Sequence, residues 1–197
     1  MRYGAEHKQQ TRERVLKEAA KAIRAEGLHK VGVASVMGKA GLTHGGFYAH
    51  FANKDDFLAS AIDQMFKEGG ERMTRALDGR DDAEGLSAYI DFYLSTAHRD
   101  SRTSGCPLPF LSADAPRLTG PSRDQFAQGV AGLSGRLTDV LKQLGHSDAE
   151  ETGSSMLSEM VGAVALARAE PHPERSDTIL ARTHASLIRR LGLETVQ

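Results

Sequence analysis

The sequence predicts an all-α protein, and three observations carry that reading. Apolar residues recur at three- and four-residue spacing in almost every segment, the signature of amphipathic helices. No segment alternates apolar and polar residues with the period of two that a half-buried strand requires. Glycine, proline and small capping residues punctuate the chain where each apolar stripe stops. The 197 residues, 40% hydrophobic and 26% charged, have the composition of a soluble globular protein long enough for a sizeable core. The single cysteine, Cys106, excludes an internal disulfide. The start, MRYGAEHKQQTRER, lacks the apolar stretch of a signal peptide, and no run approaches the roughly 20 apolar residues that span a bilayer. The expectation is therefore a cytoplasmic protein with no membrane partner.

The elements follow in order. TRERVLKEAAKAIRAEG places Val15, Leu16, Ala19, Ala22 and Ile23 on one stripe, and Gly27 ends it. VASVMGKAG is a short second helix that opens near Gly32 and closes at Gly41. THGGFYAHF is a third, followed by Asn53 as the N-cap of a longer helix with Asp55 and Asp56 in its first turn. That helix carries Phe57, Leu58, Ala61, Ile62, Met65 and Phe66 inward. Further stripes run from Leu86 to Ala97 and from Phe126 to Leu144. Ser147 with Glu150 three residues later reads as a capping box before Met156, Leu157, Met160, Val161 and Val164. Pro173 suits the first residue of a last helix carrying Ile179, Leu180, Leu187, Ile188 and Leu191. The expected linkers are 78–82, 99–105, 114–122 and 169–174.

Two short helices joined by a tight turn are a helix-turn-helix. Here ASVMGKAG leads through Leu42-Thr43 into HGGFYAHF, and Leu42 and Phe47 can form a hydrophobic staple across Thr43 as N-cap. Phe47 and Phe51, one turn apart, are expected in the core. The charge supports a polyanion partner: residues 1–54 hold ten Lys/Arg against four Asp/Glu, whereas residues 55–197 hold fifteen against twenty-two. Adjacent Gly45 and Gly46, each costing about 1 kcal/mol against Ala in a helix, leave no side chain to collide with a DNA groove. Thr43 and His44 lie where a base edge or phosphate is within reach, Tyr48 and His50 can donate to phosphates from the rim, and Lys54 adds charge at a helix start. Lys39 is either a further backbone contact or a solvated lysine, and His50 either a phosphate donor or a structural histidine. These eight residues are the expected DNA-binding set, within a head of residues 1–53 followed by a helical body of residues 54–197.

At these positions the chain resembles the tetracycline-repressor (TetR) family of bacterial transcription regulators. The family pattern is a Gly-hydrophobic-Ser/Thr turn, a small-residue helix ending in Tyr-x-x-Phe, and Lys three residues later. This sequence offers Gly41-Leu42-Thr43, Gly45, Phe47-Tyr48, His50-Phe51 and Lys54. It departs at His44, where Lys is common, at Gly46, where Ser, Thr or Ala is frequent, and at Gly32, where Ser or Thr often caps. The resemblance implies a three-helix DNA-binding domain followed by a helical ligand-binding and dimerisation domain. It further implies a homodimer on a pseudo-palindromic double-stranded operator, and a small-molecule inducer, with neither cofactor nor metal. The last two helices, 147–168 and 174–191, would pair between subunits through Met156, Met160, Ala163, Val164, Ile179, Leu180 and Leu187. An inducer pocket would be lined by Tyr89, Phe92, Tyr93, Cys106, Phe110, Phe126, Val130 and Met160. The few charges on these stripes point to an apolar or aromatic inducer.

Cys106 lies in RTSGCPLPFLSADAPR. With Pro107 in the first turn of a short helix, Cys106 would be its cap, and a thiol at a helix N-terminus is more acidic and nucleophilic. Arg99 and Arg102 would add to that effect. Some TetR-like regulators that sense electrophiles or oxidants look similar at this Gly-Cys pair; a small buried hydrophobe is the other reading. A ligand-controlled activator shares every one of these features with a repressor. A Cys106–His98 enzyme is the remote alternative: no orienting Asn or Asp is in place, the histidines lack zinc-ligand spacing, and no phosphate-binding glycine loop follows a strand.

Overall fold

The computed structural model describes residues 2–194, all of whose regular elements are helical. They are α1 (Arg2–Glu26), α2 (Val33–Lys39), a 3₁₀ helix (His44–Ala49), α3 (Lys54–Leu77), α4 (Asp82–Tyr93), α5 (Thr96–Asp100), α6 (Leu108–Leu111), a second 3₁₀ turn (Ala115–Arg117), α7 (Gly120–Gln143), α8 (Ala149–Ala169) and α9 (Pro173–Arg190). Packing divides the chain into two compact units, one of Met1–Glu68 with Arg102–Gly129 and one of Gly69–Ser101 with Val130–Gln197. The helices α3 and α7 each contribute to both.

The first unit is organised by the inner stripe of α1. Val15, Leu16, Ala19, Ala20 and Ile23 meet Val36 and Met37 of α2, Phe47 and Phe51, and Phe57, Ala61, Ile62 and Met65 of α3. Leu111 of α6 joins this same core, with Phe110, Leu118 and Phe126 packed against it. Phe66 and Phe126 stack edge to face at 5.9 Å. The Phe66 ring lies so close to Gly129 that a Cβ there would sit 2.2 Å from it. Polar contacts flank this apolar seam: Ser122, buried, donates to the Asp55 carboxylate at 2.7 Å, and Gln125 donates to Asp63 at 3.1 Å.

The second unit buries Leu86, Tyr89, Ile90 and Tyr93 of α4 with Leu137 and Leu141 of α7, Met156, Met160 and Val164 of α8, and Leu180 and Leu187 of α9. Two arginines tie its helix ends together. Arg168 donates to the carbonyls of Arg99 and His98 at 2.9 and 3.0 Å, which caps the C-terminal end of α5. Arg99 reaches Ser176 at 2.8 Å and also Asp100 and Asp177, bonds that push its pKa upward and fix it as a cation.

Several boundaries differ from expectation for local reasons. The 86–97 stripe breaks at Leu94, because the Ser95 hydroxyl accepts the His98 N–H at 3.1 Å and starts α5 afresh. The capping box at Ser147 is absent: α8 begins at Ala149 after Asp148, and no side-chain bond closes its N-terminus. The helix α7 begins at Gly120, inside the expected 114–122 linker. Pro173 does open α9.

Candidate nucleic-acid interface

The turn of the helix-turn-helix is built by a glycine that the backbone requires. Gly41 has φ +74°, a left-handed conformation that costs other residues strain. Its N–H donates to the Gly38 carbonyl at 3.0 Å, and the Leu42 N–H to the Met37 carbonyl at 2.9 Å. These two bonds are a Schellman closure of α2. Leu42 is half-buried against the core that holds Phe47, as a staple across the turn demands.

The stretch after the turn is a 3₁₀ helix, where the sequence pattern suggested an ordinary helix. The Gly46 N–H reaches the Thr43 carbonyl at 3.1 Å and His50 N–H the Phe47 carbonyl at 2.9 Å, both three residues back. Two adjacent glycines weaken α-helical propagation, and the tighter winding is the outcome. Thr43 holds the N-cap position with extended backbone (φ −80°, ψ 154°), yet its hydroxyl makes no capping bond. The expected cap is thus positional only.

This short element sorts its side chains into two sets. Phe47, Phe51 and Phe57 of α3 form an aromatic triangle with centroid separations of 5.0 to 5.6 Å, and all three are buried. Tyr48 points the other way, 73% exposed, held only edge-on to Phe47 at 5.3 Å. Thr43, His44 and Gly45 are exposed beside it. A Cβ on Gly45 would meet nothing within 4 Å, and one on Gly46 would make ordinary contact with Met37. Neither glycine is therefore demanded by packing. Lys39 is exposed but pairs with Glu26 at 3.5 Å. Lys54 is exposed at the start of α3, where the Asn53 side chain accepts the Asp56 N–H and the Asp56 carboxylate accepts the Ala52 N–H, both at 2.9 Å.

His50 closes the 3₁₀ helix. Burial, together with the positive charges of Lys8 and Arg12, holds its pKa below the ordinary 6.5. Arg12 donates to the His50 carbonyl at 3.4 Å and to the Ser60 hydroxyl at 2.7 Å, and its guanidinium lies 5.0 Å above the Phe51 ring. Sequence reasoning missed Lys8 and Arg12. Their spacing of four along α1 was the available signal, since it puts both cations on one helical face.

Known proteins resemble this chain in the sequence of this segment and in fold. Residues 15–61 match the model of the bacterial regulatory proteins of the tetR family. That segment resembles the DNA-binding part of the tetR family. Over 101 residues it is 28% identical to the HTH-type transcriptional regulator TtgR of Pseudomonas putida, covering 50% of this chain and 48% of TtgR. The probable HTH-type transcriptional regulator ArpR of Pseudomonas putida is matched to the same extent. The chain thus spans about half the length of the curated relatives it matches. Two solved structures resemble nearly the whole chain in fold. Reduced NemR of E. coli superposes with a TM-score of 0.79 at 20% identity, covering 91% of this chain and 96% of NemR. A TetR regulator from Chloroflexus aurantiacus gives 0.79 at 21% identity, covering 95% and 96%. The TetR fold, with its helix-turn-helix, is the fold of this chain.

The remaining expected site residues fall in different places. Of the seven interface residues, Met156, Met160, Val164, Leu180 and Leu187 are at most 2% exposed within their own unit. They are core, a correction to the expectation, because the inner stripe of a helix packed in its own chain has no surface left for a partner. The outward face of α8 and α9 is instead a shallow groove of about 430 Å³, lined by Ser158, Gly162, Ala163, Leu166, Ile179 and Arg182 among others. Leu166 is 63% exposed there. Ala163 and Ile179 are the two expected residues that reach it.

The pocket residues also divide. In the second unit Tyr89 and Tyr93 are buried at 5.8 Å from each other, and His98 packs on Phe92 and Tyr93. The His98 Nδ1 lies 2.7 Å from the Tyr93 carbonyl, so that nitrogen carries the proton and donates. Met160 is buried and Val130 half-buried. In the first unit Phe110 and Phe126 pack on the head's core. Cys106 is buried, and the cap of α6 is Pro107 rather than Cys106. The Arg99 guanidinium expected to acidify the thiol is committed to Asp100, Ser176 and Asp177. Among the described residues no helix is long and apolar enough to cross a membrane.

Proposed function

We propose that this protein is a TetR-type repressor that binds a pseudo-palindromic operator as a homodimer and is released by a small apolar or aromatic inducer. The observation that carries the reading is Tyr48. A tyrosine 73% exposed next to buried Phe47 has its ring and hydroxyl available to a duplex, flanked by exposed Thr43, His44, Gly45 and Lys54. Thr43, His44 and Gly45 take the base edges, with Gly46 leaving the groove floor clear. Tyr48, His50, Lys54 and Lys39 take phosphates. Residues 1–53 read the DNA, in the cytoplasm, and residues 54–197 regulate and dimerise, without catalysis or a cofactor.

Dimerisation rests on the outward groove of α8 and α9, where Leu166 is the large exposed apolar residue. A half-site reader needs a second copy to span a two-part operator. The inducer is proposed to act within the second unit, among Tyr89, Phe92 and Tyr93 with Val130 and Met160, and to favour a conformation with misplaced heads. It shifts the equilibrium only by its differential affinity for the two states.

The test is fluorescence anisotropy with duplex from the gene's own upstream region against scrambled duplex, at two salt concentrations. Tight, selective binding that weakens with salt supports the reading. Equal binding to both duplexes, and to a genomic pool, overturns it.

A further inference from the structure

The element that presents Tyr48 has little of its own to hold its shape. It is a 3₁₀ helix of six residues, His44–Ala49, a winding with poorer hydrogen-bond geometry than an α-helix. Two of the six are adjacent glycines, and no side-chain bond caps its start. Its entry is set by left-handed Gly41 and by Leu42 on the core. Its exit is His50, whose carbonyl is the kind of terminal acceptor that a helix end leaves to an outside donor. That donor is Arg12 of α1. Its Nε reaches the His50 carbonyl at 3.4 Å and its Nη2 the Ser60 hydroxyl of α3 at 2.7 Å, while the guanidinium lies 5.0 Å from the centroid of the Phe51 ring. One planar, half-buried side chain thus grips the exit of the element, the aromatic that follows it and the helix beyond. The two bonds use two N–H directions of the guanidinium fork, which a compact ammonium does not span.

We propose that Arg12 is a positioning residue for operator binding. From α1 it fixes the exit of the 3₁₀ element against α3, and with it the direction in which Tyr48 and its exposed neighbours are presented, without itself touching DNA. The proposal rests on the reading that the head binds DNA. An element loosened at its exit must be ordered when the duplex arrives, and ordering the backbone of one residue corresponds to about tenfold in affinity. Because no phosphate contact is removed, that loss is the same at every salt concentration. Preorganisation, rather than charge, is what the arginine supplies.

The full chain and its variants are titrated across a salt series with the duplex that wild type selects. R12Q is expected to bind about tenfold more weakly with the salt slope of wild type, whereas loss of a phosphate ligand would lower the slope by about 0.9. R12K keeps the charge and is expected to bind as weakly as R12Q. In the free protein, the His50 and Phe51 N–H groups donate to the Phe47 carbonyl at 2.9 and 3.0 Å. Their exchange with solvent is expected to quicken about tenfold in R12Q. The Ala40 N–H, bonded to the Val36 carbonyl at 3.0 Å, is expected to keep its wild-type rate; a merely structural loss would quicken all three. S60A removes only the anchor on α3 and is expected to repeat the pattern at about threefold; it carries the test if R12Q does not fold. A lower salt slope in R12Q, affinity restored in R12K, equal quickening at Ala40, or wild-type affinity in R12Q or S60A overturns the proposal while leaving DNA binding intact. Absence of wild-type binding to any duplex removes both this proposal and the DNA-binding reading.

Discussion

Arg24 and Glu68 meet at 2.7 Å, and the arginine side chain is only 2% exposed against 28% for the glutamate. Its Nη2 also donates to the Met65 carbonyl at 3.4 Å, while its Nε is buried without a partner. The last turn of α1 is thereby fastened to α3 by a cation that water scarcely reaches. Breaking a fully buried ion pair from one side costs roughly 3–5 kcal/mol. Glu68 is partly solvated, so E68Q is expected to lose less, about 2 kcal/mol. Replacing both charges with apolar residues, R24M with E68L, is expected to be the milder change, because it also removes the orphaned Nε. Urea denaturation midpoints order the variants; E68Q more stable than the double variant would contradict this account.

Tyr48 separates binding from folding. With 73% exposure and one edge-on ring contact, Y48A is expected to move the folding free energy by no more than about 0.5 kcal/mol. DNA affinity should fall about tenfold, the loss of one charge-assisted hydrogen bond. Thermal melting and duplex anisotropy on the same preparation check both halves. A large loss of stability would return Tyr48 to the core.

Two glycines give opposite expectations. At Gly129 a Cβ would lie 2.2 Å from the Phe66 ring, so G129A is expected to force the ring aside at about 1–3 kcal/mol. At Gly45 the Cβ meets nothing, so G45A should leave folding unchanged or improve it by up to about 1 kcal/mol. Its effect should appear in DNA affinity alone. A G45A protein that binds duplex as well as wild type would mean that the backbone there does not approach the DNA.

Leu166 tests assembly. An aspartate placed in the α8–α9 groove puts an unpaired charge where two apolar faces would meet. L166D is expected to elute as a monomer of unchanged helicity, with half-site affinity only. Light scattering on wild type and variant decides; two identical masses would point to another dimer surface or none.

Much of this was legible in the sequence, and the exceptions have physical causes. The helix stripes, Gly41 at the turn, the Asn53 cap and the Phe47/Phe51 pair are local signals, and the structure contains them. Periodicity names a buried face but not what it is buried against. Hence Met156, Met160, Val164, Leu180 and Leu187, chosen as a partner surface, are internal, while Leu166 on the opposite face of α8 went unremarked. The 3₁₀ winding at 44–49 depends on two glycines tipping a close balance that spacing does not register. Lys8 and Arg12 lay outside the motif, and only the fold of α1 against His50 connects them to it.

The core under the helix-turn-helix is discontinuous in the chain. Leu111, with Phe110, Leu118 and Phe126 packed around it, belongs to the same cluster as Val15 and Phe47. A fragment ending at residue 53 would lack these side chains together with Phe57, Ile62 and Met65. Transplanting this DNA reader onto another regulatory body is therefore a two-segment graft, requiring residues 102–129 as well as 1–68. A chimera joined at a single point would leave the recipient's own helices to fill the space under Ile23 and Phe57.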